Sequence, residues 1–251
     1  MLGATGTIGR LVAHHLEESG HHVRRVSRST GVDVLNGQGL DVALAGADAV
    51  VDCLNVVTLR ARTAIDFFTR AAAAVARSAG RVGVRRIVCV SIAGATDPQV
   101  NRGYGYYRAK AAQEQVYTQS PVPTTIIHST QWFELVPQIV GRTALGPVAV
   151  IPTMRMAPIA ADRVARLVVR EIEAGHEGDR TSAIRGPQEL TAAQAARTFM
   201  AVRGEVGGRR PRVIWELPLL GRGIAGGGLI PGDGLVDDLT LEEWLQQPSG
   251  A

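Results

Sequence analysis

Lysine is almost missing from this chain: of 27 basic residues in 251, Lys110 is the only lysine and 26 are arginine. Aromatic residues are scarce at 4%, and the arginines are scattered, so the aromatic-interleaved basic runs that bind nucleic acid are absent. The net charge of +4 therefore implies no nucleic-acid partner. Cysteine is limited to Cys53 and Cys89, each inside an apolar run, where a free thiol behaves as a small buried hydrophobe. That usage excludes a disulfide framework and fits a reducing compartment. No segment reaches the ~18 apolar residues of a membrane span, and no signal peptide precedes the first motif. A soluble, cytoplasmic protein with no membrane partner is expected. His14-His15 and His21-His22 lie about the first helix without a ligand cluster, so no metal is expected.

What is present is an ordinary globular mixture, 45% apolar and 20% charged, at a length suited to one main domain with an appendage. The first half alternates short apolar runs with amphipathic patterns, the sequence form of repeated βαβ units. Ile8, Leu11, Val12 and Leu16 have helical spacing, ended near Gly20. The pattern then predicts a strand over 22–27, a short helix over 40–45 and a buried strand over 49–54. A helix over 63–79 stopped by Gly80, a strand over 86–92, a helix over 106–118 and a strand over 124–128 follow. The fold class is α/β, a doubly wound parallel sheet of Rossmann type, with residues 1–130 as a dinucleotide-binding domain. Residues 131–251 form a substrate-binding region partly integrated with it. There the pattern is irregular, with short strands over 148–151 and 180–184. Asp162 is placed to cap a helix, and Thr191 with Gln194 and Thr240 with Glu243 have capping-box spacing. The glycine-rich stretch 221–234 is expected as a mobile loop, with a lid over a pocket as the alternative.

The run Gly3-Ala4-Thr5-Gly6-Thr7-Ile8-Gly9 opens the first helix, so its amides and the positive helix end face a pyrophosphate. The first glycine makes the tight turn, the second lets backbone approach phosphate, and the third lets helix pack on strand. An NAD site usually carries an acidic residue at the end of the second strand. This chain has Arg24, Arg25, Ser27 and Arg28 there, and an arginine fork suits a 2′-phosphate. NADP is therefore expected, with NAD possible, and Arg28 as the contact. Asp33 and Val34 lie where the adenine is expected, and Asn55 closes the site; loop chemistry is the alternative for each. Only two residues precede Gly3, where a central strand of ~5 residues is expected, so a start further upstream is the expectation.

Tyr106 and Lys110 stand four apart on a predicted helix and share one face. Ser91 ends a buried parallel strand, the place where α/β proteins put their chemistry. An ammonium and a cationic nicotinamide lower a phenol from its reference value of about 10, which suits it to give a proton to a carbonyl as hydride arrives. Ser91 then hydrogen-bonds the substrate oxygen, and Lys110 also holds the nicotinamide ribose. A solvated basic site in this chain is almost always arginine, so the one lysine marks a place that needs a compact ammonium. Tyr104 and Tyr107 lack the four-residue offset.

These segments resemble the NmrA-like atypical members of the short-chain dehydrogenase/reductase superfamily. The resemblance rests on residues 3–9, Val-Ser-Ile-Ala-Gly-Ala (90–95), Tyr-Tyr-Arg-Ala-Lys (106–110) with Glu114, and Ser-Thr-Gln-Trp-Phe (129–133). It continues in 156–162, 185–191 and 241–245 and so covers most of the chain. It implies a Rossmann-type domain with a smaller substrate region and NADP or NAD as ligand. By the same resemblance Gln131 and Phe133 face the nicotinamide and substrate, Trp132 packs, and His128 stands where the family pattern has arginine. Family members include quinone and isoflavone reductases and proteins that bind cofactor without turnover. The expectation is an NAD(P)H-dependent oxidoreductase reducing a small carbonyl, enone or quinone. A non-catalytic NADP-binding redox sensor and a nucleotide-sugar epimerase or dehydratase are the alternatives, and the oligomeric state is left open.

Overall fold

The computed structural model describes residues 1–58 and 60–247. In chain order the first half runs α1 (Thr7–Glu18), α2 (Leu40–Leu44), β1 (Ala49–Asp52), α3 (Ala61–Val82), β2 (Arg86–Ile92), α4 (Pro98–Asn101), α5 (Gly105–Thr118) and β3 (Thr124–Ser129). The second half adds α6 (Leu135–Thr143), β4 (Ala144–Leu145), β5 (Val148–Pro152), β6 (Arg155–Met156), α7 (Ala161–Glu173), β7 (Arg180–Arg185) and β8 (Leu190–Thr191). It closes with α8 (Ala192–Arg203), β9 (Val213–Leu217), α9 (Arg222–Ala225), β10 (Leu235–Val236) and α10 (Leu241–Gln246).

The main sheet is parallel throughout, in the order β1-β2-β3-β7-β10. Beyond β1, Leu2 makes single parallel bridges to Asp52 on one side and Val26 on the other. Strand alternation divides the core. Val88 and Val90 of β2 turn toward α1 and α7, whereas Ile87 and Cys89 turn toward α2, α3 and α5. Burial on both faces explains why these strands read as unbroken apolar runs. Ala71, Ala72 and Ala79 of α3 are completely buried, and their small side chains let that helix lie close on its neighbours. A second region packs α6, α8 and α10 against a small sheet, β4-β5-β9, around Phe133, Ile151 and Phe199. Helix α7 and strands β7 and β10 return from that half of the chain to the main sheet. Among the described residues no helix is long and apolar enough to cross a membrane.

Four local expectations change. The strand over 22–27 shrinks to one bridge at Val26, which pairs with Leu2 and whose amide donates to the Met1 carbonyl at 2.9 Å. Helix α3 runs through Gly80 and ends at Gly83, whose φ of +76° makes the left-handed cap. Ala160, not Asp162, is the N-cap of α7; the Asp162 carboxylate instead takes His15 at 2.5 Å and Arg166 at 2.8 Å. The stretch 221–234 is anchored, since Ile224 and Leu229 between its glycines are completely buried in the second core. Both capping boxes, Thr191 with Gln194 and Thr240 with Glu243, form as read.

Candidate active site

Leu2 is fully buried, and the chain leaves it by turning at Gly3, whose φ of +70° few side chains tolerate. A Cβ at Gly3 would lie 2.5 Å from the Cys53 carbonyl oxygen, and one at Gly9 would lie 2.1 Å from the Gly3 carbonyl oxygen. The Gly6 amide donates to that same Gly3 oxygen at 3.0 Å, which closes the turn. Gly6 caps α1 without any side-chain hydrogen bond, and no acidic residue occupies the first helical turn. The amides of Thr7 and Ile8 therefore leave the helix end without an intrahelical partner, at its positive pole. Thr5 is exposed at the tip of the turn, while the Ile8 side chain is buried and fixes the helix on the sheet. Free donors fronted by glycines fit a dinucleotide pyrophosphate.

Three residues past β1, the Asn55 carboxamide oxygen accepts the Tyr106 hydroxyl at 2.9 Å. Gly3 nests against Cys53 and Leu54, so this bond brings Tyr106 to the same end of the sheet as the glycine turn. One helical turn on, Lys110 is buried. Its ammonium donates to the Val90 carbonyl at 2.8 Å and to the Gln113 carboxamide oxygen, and it lies 4.9 Å from the centre of the Phe68 ring. Burial raises the Tyr106 phenol above its ordinary range, with Lys110 pulling the other way. Burial also opposes the Lys110 charge, but Cys89, Tyr106, Asp52 and Glu114 around it outweigh that and hold its pKa above the ordinary lysine value.

Ser91 is placed differently from the role expected of it. The pleat turns it toward α5, where it is buried and its hydroxyl donates to a Glu114 oxygen. The other Glu114 oxygen takes His128 Nε2 at 3.0 Å. The next residue, Ile92, packs against the core that also carries Tyr104 and Tyr106.

Beneath the site lies a network that sequence reasoning missed. Asp52 is 1% exposed; one of its oxygens takes the Tyr117 hydroxyl at 2.6 Å and Gln113 Nε2 at 2.8 Å, and the other takes the Leu54 amide at 2.8 Å. Leu54 is part of the seat on which Gly3 rests, so the network shapes the floor of the glycine turn. The missed signal is a stripe: Lys110, Gln113, Glu114 and Tyr117 recur at helical spacing, and all four are buried. Replacing Tyr117 by phenylalanine keeps the ring and removes one donor from a buried carboxylate. It is expected to cost about 1–3 kcal/mol of stability, read from urea unfolding.

The remaining candidates are sorted by the fold. Arg24 is spent on the carbonyls of Ala43 and Ala45, at 2.7 and 3.1 Å, and Arg25 on Glu17 at 2.9 Å. Arg28 stays exposed with no side-chain partner among the described residues. The Asp33 carboxylate accepts the Leu35 amide at 2.8 Å in a local turn, and Val34 packs on the core about Leu2 and Val26. Gln131 is buried just past β3, and its Oε1 has no hydrogen-bond partner. Phe133, expected at the substrate, is 1% exposed and packs against Trp244 at 5.4 Å. It is a core residue because its amide pairs with the Ile159 carbonyl at 2.9 Å, within a segment bound down along its length. Trp132 is half-buried, and its Nε1 donates to Ser129 at 3.1 Å.

A family model described as NAD(P)H-binding matches residues 3–175. No curated protein matches the chain by sequence. Among solved structures, MoeE5 in complex with UDP-glucose and NAD is similar at a TM-score of 0.71 and 15% identity, covering 97% of this chain and 90% of that one. A nucleoside-diphosphate-sugar epimerase from Staphylococcus aureus gives 0.68 and 16%, covering 98% of each chain. A short-chain dehydrogenase/reductase superfamily protein from Agrobacterium tumefaciens with bound NAD gives 0.68 and 15%, covering 98% of this chain and 94% of that one. At such identities the likeness speaks for the Rossmann-type fold alone.

Proposed function

Since the chain belongs to the NAD(P)H-binding family, we propose that it is an NADPH-dependent reductase of short-chain dehydrogenase/reductase type, acting on a small carbonyl, enone or quinone. The observation that most supports this reading is the Tyr106 hydroxyl 2.9 Å from Asn55, beside the glycine turn, with the only lysine one helical turn away. A bound reduced nicotinamide would supply the hydride. The amides of the turn and of the first turn of α1 hold the pyrophosphate, and Arg28 holds the 2′-phosphate. Tyr106 gives its proton to the substrate oxygen, and the Lys110 ammonium favours the phenolate left behind. Ser91 contributes by fixing Glu114 and the end of β2, since its hydroxyl is already committed.

The test is to supply NADPH with a panel of carbonyls and quinones and follow its oxidation in the native chain, Tyr106→Phe and Lys110→Ala. Equal turnover in all three sinks the assignment. A second reading, a cofactor-binding redox sensor without turnover, is favoured by the commitment of Ser91 and of two Lys110 donors to internal hydrogen bonds. Tight NADP binding with no oxidation of NADPH on any substrate supports it. A nucleotide-sugar epimerase or dehydratase, the activity named for several proteins of similar fold, requires NAD retained through purification. The unpaired Arg28 speaks against that.

Cofactor choice gives its own prediction. Arg28→Glu should weaken NADP binding by about 10- to 100-fold, the worth of a charged hydrogen-bonded pair, while leaving NAD binding nearly unchanged. Titration calorimetry with both cofactors measures it. Equal loss for the two would place Arg28 outside the 2′-phosphate site.

A further inference from the structure

The small sheet β4-β5-β9 is covered on one side only. Ala149, Ile151 and Ile214 face the second core, whereas Val213, Trp215 and Leu217 alternate outward, 41%, 60% and 43% exposed. The register sets Val148 beside Val213 and Val150 beside Trp215, and β4 brings Leu145 beside Val148. Leu145 is 84% exposed. These side chains come from three adjacent strands, share one face and include no charge. They form a contiguous apolar patch on the order of 600 Å², the upper end of what a monomer exposes.

We infer that this face is where a second copy of the chain docks, sheet against sheet. The area is one argument. With Leu219, 64% exposed just past β9, and the rim of the sheet, the patch approaches the ~800 Å² that each partner contributes to a stable interface. Charge is the other. The exposed Arg209, Arg210 and Arg212 gather before the start of β9. A two-fold axis lying across the strands at the level of Val150 and Trp215 stacks β9 antiparallel on its mate and sends the two arginine clusters to opposite ends. The stacked face then buries no like-charge pair. Twisted sheets stack with nearly aligned strands, so this arrangement needs no rebuilding of either copy.

Sedimentation velocity on the full chain from about 1 to about 100 µM tests this, because dimer formation follows mass action. The native chain should sediment as a dimer, and Trp215→Arg and Leu145→Asp should each raise the dissociation constant by at least about 100-fold, as expected at the centre of an interface. The near-ultraviolet circular dichroism of the variants reports whether they remain folded. A second measurement does not depend on those variants: on dilution the native tryptophan emission should shift to the red as Trp215 meets water, and Trp215→Phe should lose that shift. A native chain that stays monomeric overturns the inference, as does a dimer that survives both substitutions. Monomers that float with phosphatidylserine-containing vesicles through this face would also overturn it, assigning the face to a membrane.

Discussion

One methyl group at Gly9 is expected to abolish cofactor binding and to destabilise the fold by about 2–4 kcal/mol, as overpacking against backbone does. The added carbon would meet the Gly3 carbonyl oxygen at 2.1 Å, its carbon at 2.8 Å and the Ala4 Cα at 3.0 Å, all main-chain atoms with no rotamer to yield. Relief requires α1 to lift from the turn, which pulls Ile8, Val12 and Leu16 from the sheet. Gly6 separates stability from binding, because a Cβ there meets only the Gly3 oxygen at 3.4 Å. Gly6→Ala should melt within a few degrees of the native chain yet bind NADP at least about tenfold more weakly, since its methyl stands where phosphate approaches the backbone. Thermal melts and calorimetry on both variants decide the matter. Native affinity in Gly6→Ala would remove the pyrophosphate from this turn.

Tyr106→Phe carries the second large effect: kcat lower by about 10²- to 10⁴-fold, the usual worth of a positioned proton donor, with NADPH affinity almost unchanged. The substitution keeps the ring that packs edge-on against Phe68 at 5.8 Å and loses only the hydroxyl held by Asn55. Lys110→Ala is a blunter probe. It strips a buried ammonium from the Val90 carbonyl and Gln113, and losing one member of such a set commonly costs about 3–5 kcal/mol. The pH profile gives a further check. Burial lifts the Tyr106 phenol above its ordinary value, so the donor stays protonated through neutrality. Turnover in the reducing direction should fall off only at a pH beyond the ordinary phenol range. A fall-off below neutrality that survives in Tyr106→Phe would point to another proton donor.

The legible parts of the site are those whose cause is local. Gly3 with its φ of +70° and Gly9 against the Gly3 carbonyl answer to backbone geometry within seven residues, and the offset between Tyr106 and Lys110 needs only a helix, which α5 supplies. The illegible parts depend on what lies opposite. Nothing near Asp52 in the chain announces that Tyr117 will donate to it from α5. Nor does the triplet of arginines after α1 reveal that Ala43, Ala45 and Glu17 occupy two of them. Phe133 reads as a site residue until Trp244, more than a hundred positions later, closes over it.

Periodicity, capping chemistry and glycine placement by themselves determined the βαβ rhythm, the buried strands β2 and β3, the phosphate-type turn and the two capping boxes. Each of these is settled by residues within a few positions of one another. Only the tertiary structure decided that Ser91 turns inward to Glu114, that the segment over 22–27 keeps one bridge, that Arg24 and Arg25 are taken up by other partners while Arg28 is left exposed, and that the outer face of β9 is bare. Those outcomes turn on which strand or helix arrives from elsewhere in the chain, and a side chain's role follows from the partner it meets.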